Sequence, residues 1–245
     1  MKKALLVGIN AYPNARLKGC INDIKDMRDF IIEYKGFKSE DIIMLTDSKA
    51  TKNSILRNLN CLVNCHEGDT ILFHFSGHGS QVTTIDNEAD GLDEVICPID
   101  FDYKNQGIRD NEFQEIFSKI PENVNFTWIS DSCHSGDLEK SCERTNRLYP
   151  MSIYLDYTKC IKNRNFNELN GILISACKDN QTSADAHFEK YNGAFTYFFL
   201  KNAIAYKNKN VKEIIKLVKK QLKDKNFSQT PQLSGNDLIN KKFLI

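Results

Sequence analysis

The chain has 245 residues, of which 41% are hydrophobic, and its formal net charge is +1. This composition is typical of a folded globular protein, and the low charge gives no bulk electrostatic basis for binding nucleic acid or a membrane. We therefore expect neither partner, and no stretch approaches the roughly 20 apolar residues of a membrane span. The eight cysteines are scattered through apolar segments, which predicts reduced thiols and a cytoplasmic protein.

Strands and helices alternate along the predicted chain. Apolar, β-rich runs predict the strands, and apolar residues at helical spacing between them predict the helices. In chain order we expect strand 3–9, a polar loop over 10–20, a helix from Asn22 to Gly36, strand 42–45, a helix capped by Thr51, strand 70–75, a short helix capped by Asp110, strands 124–130 and 171–176, and helices 194–205 and 211–223. Such βαβ units predict an α/β fold, with helices on both faces of a mostly parallel sheet.

Two long segments interrupt this alternation. Residues 80–110 are acidic, with one apolar island at 95–97, and we expect a long loop there. Residues 137–168 are charged and show no sustained hydrophobic period. A loop of that length in a compact domain is usually functional or mobile. A shorter polar segment, 178–185, predicts a turn.

Two of the predicted strands end in turns that carry reactive side chains. Strand 70–75 leads into Ser76-Gly77-His78-Gly79, and strand 124–130 leads into a turn with Cys133 near its tip. Because parallel strands place their carboxyl ends at one edge of a sheet, we expect His78 and Cys133 to meet there. A single cysteine after a strand is usually a core residue, and a single histidine in a glycine-rich turn could simply be a loop residue. Together they are the minimal parts of a cysteine nucleophile with its acid/base.

These two turns resemble the corresponding segments of the metacaspases, a branch of the caspase-like cysteine peptidases. Other segments agree with that family in the same order: 19–23, 90–94, 175–185, 193–196 and 229–234. The resemblance implies a caspase-like fold and a single catalytic domain over residues 1–245. Within it, 1–136 would be the large-subunit-like part, 137–168 a linker and 169–245 the small-subunit-like part. It also implies a compact form without a prodomain, acting as a monomer.

The resemblance assigns the catalytic residues. Cys133 matches the nucleophile and His78 the catalytic histidine, while the backbone N–H groups of Gly79 and Cys133 match an oxyanion hole. Self-cleavage would fall in the linker, where the basic residues are Lys140, Arg144, Arg147, Lys159, Lys162 and Arg164.

The resemblance also assigns a substrate-binding pocket. Asp23 and Asp131 match its acidic floor, with Ser76 at the wall and Cys20 nearby. Two carboxylates suit a guanidinium or an ammonium group, so the expected activity is cleavage of proteins or peptides after Arg or Lys. Taken alone, Asp23 would only be an acidic residue in the first turn of a helix.

A calcium site is the weakest part of the resemblance. Asp93 and Asp110 fall on family positions that bind Ca²⁺, and Glu139 lies near a third. Arg109 and Lys140 stand where the family often has acids. Because Ca²⁺ takes roughly six to eight oxygen ligands, replacing acids by cations predicts weak binding at an incomplete site.

Other interpretations stay open from the sequence. The chain could be a catalytically inactive caspase-like scaffold that binds peptides or protein partners. A flavodoxin-like binding module would instead show cofactor absorbance. Cys61, Cys65 and His66 resemble a metal-binding tract, but their spacing on a helix without a second pair favours core cysteines.

Overall fold

The computed structural model describes residues 1–83, 92–102, 107–132, 144–146, 170–178, 181 and 183–244. The strands are β1 (Lys2–Gly8), β2 (Ile42–Thr46), β3 (Thr70–Ser76), β4 (Gly79–Thr83), β5 (Leu92–Ile96), β6 (Ile108–Arg109), β7 (Asn125–Asp131), β8 (Arg144–Asn146), β9 (Ile172–Ser175), β10 (Ala184–His187), β11 (Tyr191–Gly193) and β12 (Gln232–Gly235). The helices are α1 (Cys20–Lys35), α2 (Lys52–Leu62), α3 (Asp110–Phe117), α4 (Ala194–Ala205) and α5 (Val211–Asp224). No helix in these ranges is long and apolar enough to cross a membrane.

A six-stranded sheet forms the centre of the molecule, in the order β12-β9-β7-β3-β1-β2. All neighbours pair in parallel except β12, which is antiparallel to β9. The register places Gly8 opposite Ser76, and Ser76 opposite Asp131. β1, β3 and β7 therefore end at one edge of the sheet, as the sequence predicted.

Helices cover both faces of this sheet, which confirms the predicted α/β class. Helices α2 and α3 pack on one face, against side chains such as Phe73 and Trp128. Helices α1, α4 and α5 pack on the other, against Leu72 and Ile129. Because successive strand residues point to opposite faces, a strand buried on both faces is a continuous apolar run. That pattern is what made β1, β3 and β7 recognisable in the sequence.

The expectation of a long loop over residues 80–110 was wrong. Strands β4, β5 and β6 form a three-stranded antiparallel sheet within that segment. Asp93 and Glu94 interrupt the apolar residues of β5, which leaves Val95 and Ile96 as its only consecutive apolar pair. The strands are defined by backbone pairing, which leaves little trace in a hydrophobic pattern.

A second small sheet was also missed, in the order β11-β10-β8. Part of the predicted turn at 178–185 belongs to β10, which begins at Ala184. Strand β8 lies inside the predicted linker 137–168 and pairs with β10. This sheet packs beside the beginning of α1, where it reaches the candidate site.

Candidate active site

His78 lies two residues after the end of β3 and is only 1% exposed. Its backbone N–H donates to the hydroxyl of Tyr12 at 3.0 Å, and that hydroxyl donates to the carbonyl of Cys97 at 2.7 Å. The two rings also pack together, with centroids 4.6 Å apart. Tyr12 therefore fixes both the backbone and the ring of His78.

The imidazole of His78 is oriented by a backbone carbonyl. Its Nε2 lies 2.6 Å from the carbonyl oxygen of Ala15. A carbonyl oxygen only accepts hydrogen bonds, so Nε2 carries the proton when the ring is neutral. The lone pair is then on Nδ1, which makes Nδ1 the atom able to take a proton as a general base.

The end of β7, the strand that leads to Cys133, lies beside the end of β3. The N–H of Gly77 donates to the carbonyl of Asp131 at 3.4 Å, which joins the ends of β3 and β7. The thiol of Cys177 lies 3.5 Å from the carbonyl oxygen of Ser132 and donates to it. Cys133 itself lies outside the described residues, so its predicted role as nucleophile stays a prediction.

Gly79 was predicted to supply an oxyanion-hole N–H, and it directly follows His78 as the first residue of β4. Its pairing opposite Ile96 places the His78–Gly79 backbone against β5. The other predicted donor is the N–H of Cys133, which is not described. The role of Gly79 as an oxyanion donor stays a prediction.

Asp23 lies in the first turn of α1 and is fully buried. Its Oδ2 accepts the Ser76 hydroxyl at 2.7 Å. Its Oδ1 accepts the side-chain amide of Asn192 at 3.0 Å and the backbone N–H of Gly193 at 2.9 Å. These donors are neutral, so the contacts orient the carboxylate without cancelling its charge.

Asp131, the last residue of β7, is also fully buried. Its Oδ1 accepts the Ser183 hydroxyl at 2.7 Å, and its Oδ2 accepts the Thr196 hydroxyl at 2.6 Å and the Thr196 N–H at 3.3 Å. Thr196 lies in the first turn of α4, where the helix dipole favours a negative charge.

Ser76 joins the two acidic residues, since its hydroxyl bonds Asp23 and its position in the sheet is opposite Asp131. Cys20 is fully buried three residues before Asp23, on the same side of α1. The structure therefore brings together the four residues that the sequence assigned to the substrate pocket, and one of them, Ser76, ends β3 two residues before His78.

Asp185 is a buried residue whose part in this site the sequence analysis missed. Its Oδ2 accepts the backbone N–H groups of Lys18 at 2.7 Å and Gly19 at 2.8 Å. Through these bonds, β10 fixes the chain where it enters α1, just before the helical turn that carries Asp23. The only signal was its place at the end of segment 175–185, which resembles the family but carried no assigned role.

The structure does not test the predicted calcium site. Asp110 is half-buried at the beginning of α3, and its Oδ1 accepts the N–H of Asn111 at 2.9 Å. Asp93 is in β5, opposite Val82, but its side chain is not described. Glu139 lies outside the described residues. Among the described side chains, no group of three His, Cys, Asp or Glu could hold a metal.

The sequence analysis favoured core cysteines in the Cys61–His66 tract. Cys65 is buried, as expected for a core cysteine, but Cys61 is exposed on α2. The expectation of two core cysteines was therefore half wrong. The helix turns Cys61 away from the core, where Leu59 and Leu62 are buried instead.

Comparison with known proteins gives matches along almost the whole chain. Residues 2–140 match a family model described as metacaspase, peptidase C14 domain. Metacaspase-1 of Mycosarcoma maydis is 31% identical, and the match covers 99% of this chain and 72% of that protein. Metacaspase-1 of Schizosaccharomyces pombe is 30% identical, and the match covers 95% of this chain and 67% of that protein.

Solved structures show the same fold. The crystal structure of a Geobacter sulfurreducens protein matches with a TM-score of 0.76 and 25% identity, covering 99% of this chain and 98% of that one. Caspase-1 of Spodoptera frugiperda matches with a TM-score of 0.62 and 10% identity, and the match covers 96% of this chain and 86% of that one. The second match confirms the predicted caspase-like sheet.

Proposed function

This chain belongs to the metacaspase family of caspase-like cysteine peptidases, and we propose that it is an active endopeptidase that cleaves after Arg or Lys. The observation that carries the specificity is the pair of buried carboxylates, Asp23 and Asp131, joined through Ser76 beside His78. A basic side chain is the partner that two fixed carboxylates favour.

The proposed reaction uses Cys133 and His78 as a dyad. The sulfur of Cys133 attacks the scissile carbonyl carbon, and Nδ1 of His78 takes the thiol proton. The protonated imidazole returns that proton to the leaving amine as the C–N bond breaks. A water molecule then hydrolyses the thioester, with the same imidazole accepting its proton, and frees the carboxylate product.

The surroundings of His78 support this role. The bond from Nε2 to the Ala15 carbonyl holds the tautomer whose Nδ1 can accept a proton. The same carbonyl stabilises the imidazolium that forms during the reaction, because its oxygen carries partial negative charge. Tyr12 keeps the ring from turning by packing against it.

The N–H of Gly79, with that of Cys133, is proposed to bind the oxyanion that develops on the substrate carbonyl. Backbone donors suit this task because they are fixed before the charge appears. Glycine at this position lets the substrate approach the backbone closely.

We also propose that the enzyme cleaves itself within 137–168 and binds Ca²⁺ weakly. The ion would be held by Asp93, Asp110 and Glu139. Its positive charge would draw together the segments that carry these residues. Arg109 opposes binding because it places a like charge next to Asp110. We also propose that the enzyme acts as a monomer and is cytoplasmic.

A thiol-reactive peptide probe with Arg at its reactive end tests the proposal. Labelling should require Cys133, so the Cys133→Ala protein should not be labelled. The Cys61→Ser protein, which lacks an exposed thiol, should be labelled as the unaltered protein is. Burial raises the pKa of the Cys97 thiol well above its ordinary value, so Cys97 should stay unlabelled in folded protein. Labelling that persists in Cys133→Ala would contradict the proposal and favour a binding scaffold.

A further inference from the structure

A basic cleft lies at the edge of the central sheet opposite the active site. Its volume is about 310 Å³, and four lysines line it: Lys2, Lys35, Lys207 and Lys242. Lys2 is the first residue of β1, whose other end is Gly8, opposite Ser76. Seven strand residues span about 20 Å, so this lysine cleft is remote from the dyad.

Aromatic rings and neutral acceptors hold the four ammonium groups. Lys207 lies over Tyr34 at 4.6 Å, Lys2 over Phe37 at 5.8 Å, and Lys35 between Phe30 at 5.6 Å and Phe243 at 5.8 Å. Lys2 also donates to the Lys35 carbonyl at 2.7 Å, and Lys242 to the Asn208 side chain at 3.3 Å. These contacts position the charges and neutralise none of them.

The described acidic side chains form no ion pair with the four lysines of the cleft. Lys52, Lys190 and Lys209, by contrast, each form an ion pair with an acidic side chain. Glu33 hydrogen-bonds Tyr34, which lines the cleft, and raises the pKa of that tyrosine. Within the described part of the chain, the four ammonium groups therefore keep their charges without an ion-pair partner.

Like charges in one cleft repel each other, and the repulsion is visible at Lys35. Burial, followed by the charges of Lys2 and Lys242, lowers the pKa of Lys35. A bound anion would offset both effects, because it replaces lost solvation and screens the like charges. The whole chain has a net charge of only +1, so the attraction is local to this cleft.

We propose that the lysine cleft binds a short phosphate-chain anion, such as inorganic triphosphate or the triphosphate of a nucleotide. Lysine suits phosphate as a point charge, and the volume is at the small end of ligand pockets. Lys207 already covers the ring of Tyr34, and Lys35 lies over that of Phe243. With these rings occupied, the cleft recognises the phosphate chain and not a base.

Calorimetry with sodium triphosphate on the Cys133→Ala protein tests this site separately from catalysis. Triphosphate should bind at low salt. The affinity for orthophosphate should be at least about tenfold weaker, and the affinity for ATP should be within about threefold of that for triphosphate. The double variant Lys207→Gln/Lys242→Gln should lower the affinity for triphosphate by about tenfold or more. The matched control Lys216→Gln/Lys220→Gln changes two exposed lysines of α5 and should bind as the parent does.

Proton uptake gives a second readout that needs no variant. Because the pKa of Lys35 is lowered in the free protein, anion binding should raise it, and binding at about pH 9–10 should take up protons. The proposal would be overturned if triphosphate did not bind, or if both double variants lost the same amount of affinity for triphosphate. ATP binding far more tightly than triphosphate, or an oligonucleotide or phosphopeptide outcompeting triphosphate, would also overturn it by assigning another ligand.

Discussion

The backbone N–H of His78 donates to the hydroxyl of Tyr12 at 3.0 Å. Tyr12 belongs to the loop after β1, which the sequence identified only as a polar connection. The same hydroxyl donates to Cys97 directly after β5, so one side chain ties three segments together. The position of His78 thus depends on a residue that is 66 positions away in the chain.

Tyr12→Phe should lower both stability and turnover. Removing the hydroxyl leaves a buried N–H and a buried carbonyl without this partner, which costs about 1–3 kcal/mol in the free energy of unfolding. The ring remains, so KM should change little while kcat falls as His78 loses its backbone anchor. Tyr206→Phe, at an exposed tyrosine, is the matched control. Urea unfolding and peptide kinetics measure the two effects, and a Tyr12→Phe enzyme indistinguishable from Tyr206→Phe would contradict this role.

Asp23→Asn and Asp131→Asn should each reduce the preference for a basic residue. The amide keeps the size of the side chain and removes the charge that faces the substrate guanidinium. Loss of one partner of a desolvated charge pair costs about 2–5 kcal/mol, so kcat/KM for Arg peptides should fall tens-fold or more.

Citrulline peptides separate this loss of charge from a loss of folding, since citrulline has the shape of Arg without its charge. Cleavage of citrulline peptides should fall far less than cleavage of Arg peptides in both variants. Asp224→Asn, at an exposed position, should leave the Arg-to-citrulline ratio unchanged. An unchanged ratio in Asp131→Asn would place specificity elsewhere.

Self-cleavage should avoid Arg144. Its backbone is paired with Ala186 in the small sheet, whereas a protease needs its substrate extended and accessible across the catalytic turn. We therefore expect the new termini after Lys140, Arg147, Lys159, Lys162 or Arg164. Mass spectrometry of incubated enzyme checks this, with Cys133→Ala as the uncleaved control. A first cut after Arg144 would contradict it.

Calcium should activate only at roughly millimolar concentration, because Arg109 repels the ion next to Asp110. Arg109→Asp should shift the activation midpoint to lower calcium, and Asp110→Asn should raise it. Titration of activity against free calcium tests both variants, with magnesium as the control ion. A steep micromolar response in the unaltered enzyme, or full activity in excess chelator, would contradict a weak regulatory site.

Local signals explain the parts of the fold that the sequence predicted well. Gly36 ends α1 in a left-handed conformation with φ of 69°, and the Thr51 side chain caps α2 by accepting the N–H of Ser54. Both features depend on residues within one or two turns of the chain. The predicted beginning of α1 near Asn22 was two residues late, because Gly19 precedes the helix without a capping side chain.

Long-range contacts explain what the sequence could not predict. Asp23 and Asp131 were recognisable by family resemblance, but Asn192 and Thr196, which hold them, act across more than 60 residues. Nothing in a local pattern reveals such a hydrogen bond. The same holds for Asp185, since its carboxylate acts on backbone N–H groups 166 and 167 residues away.

The central claim is that Cys133 and His78 cleave peptides after a basic residue, and fluorogenic peptides differing only in Arg, Lys or Asp before the scissile bond test it most directly. Assayed with and without calcium, the unaltered enzyme should cleave the Arg and Lys peptides and leave the Asp peptide intact. Cys133→Ala should abolish cleavage, and His78→Ala should nearly abolish it, because the thiol then lacks its general base. Unaltered turnover by Cys133→Ala, or efficient cleavage of the Asp peptide, would contradict the claim.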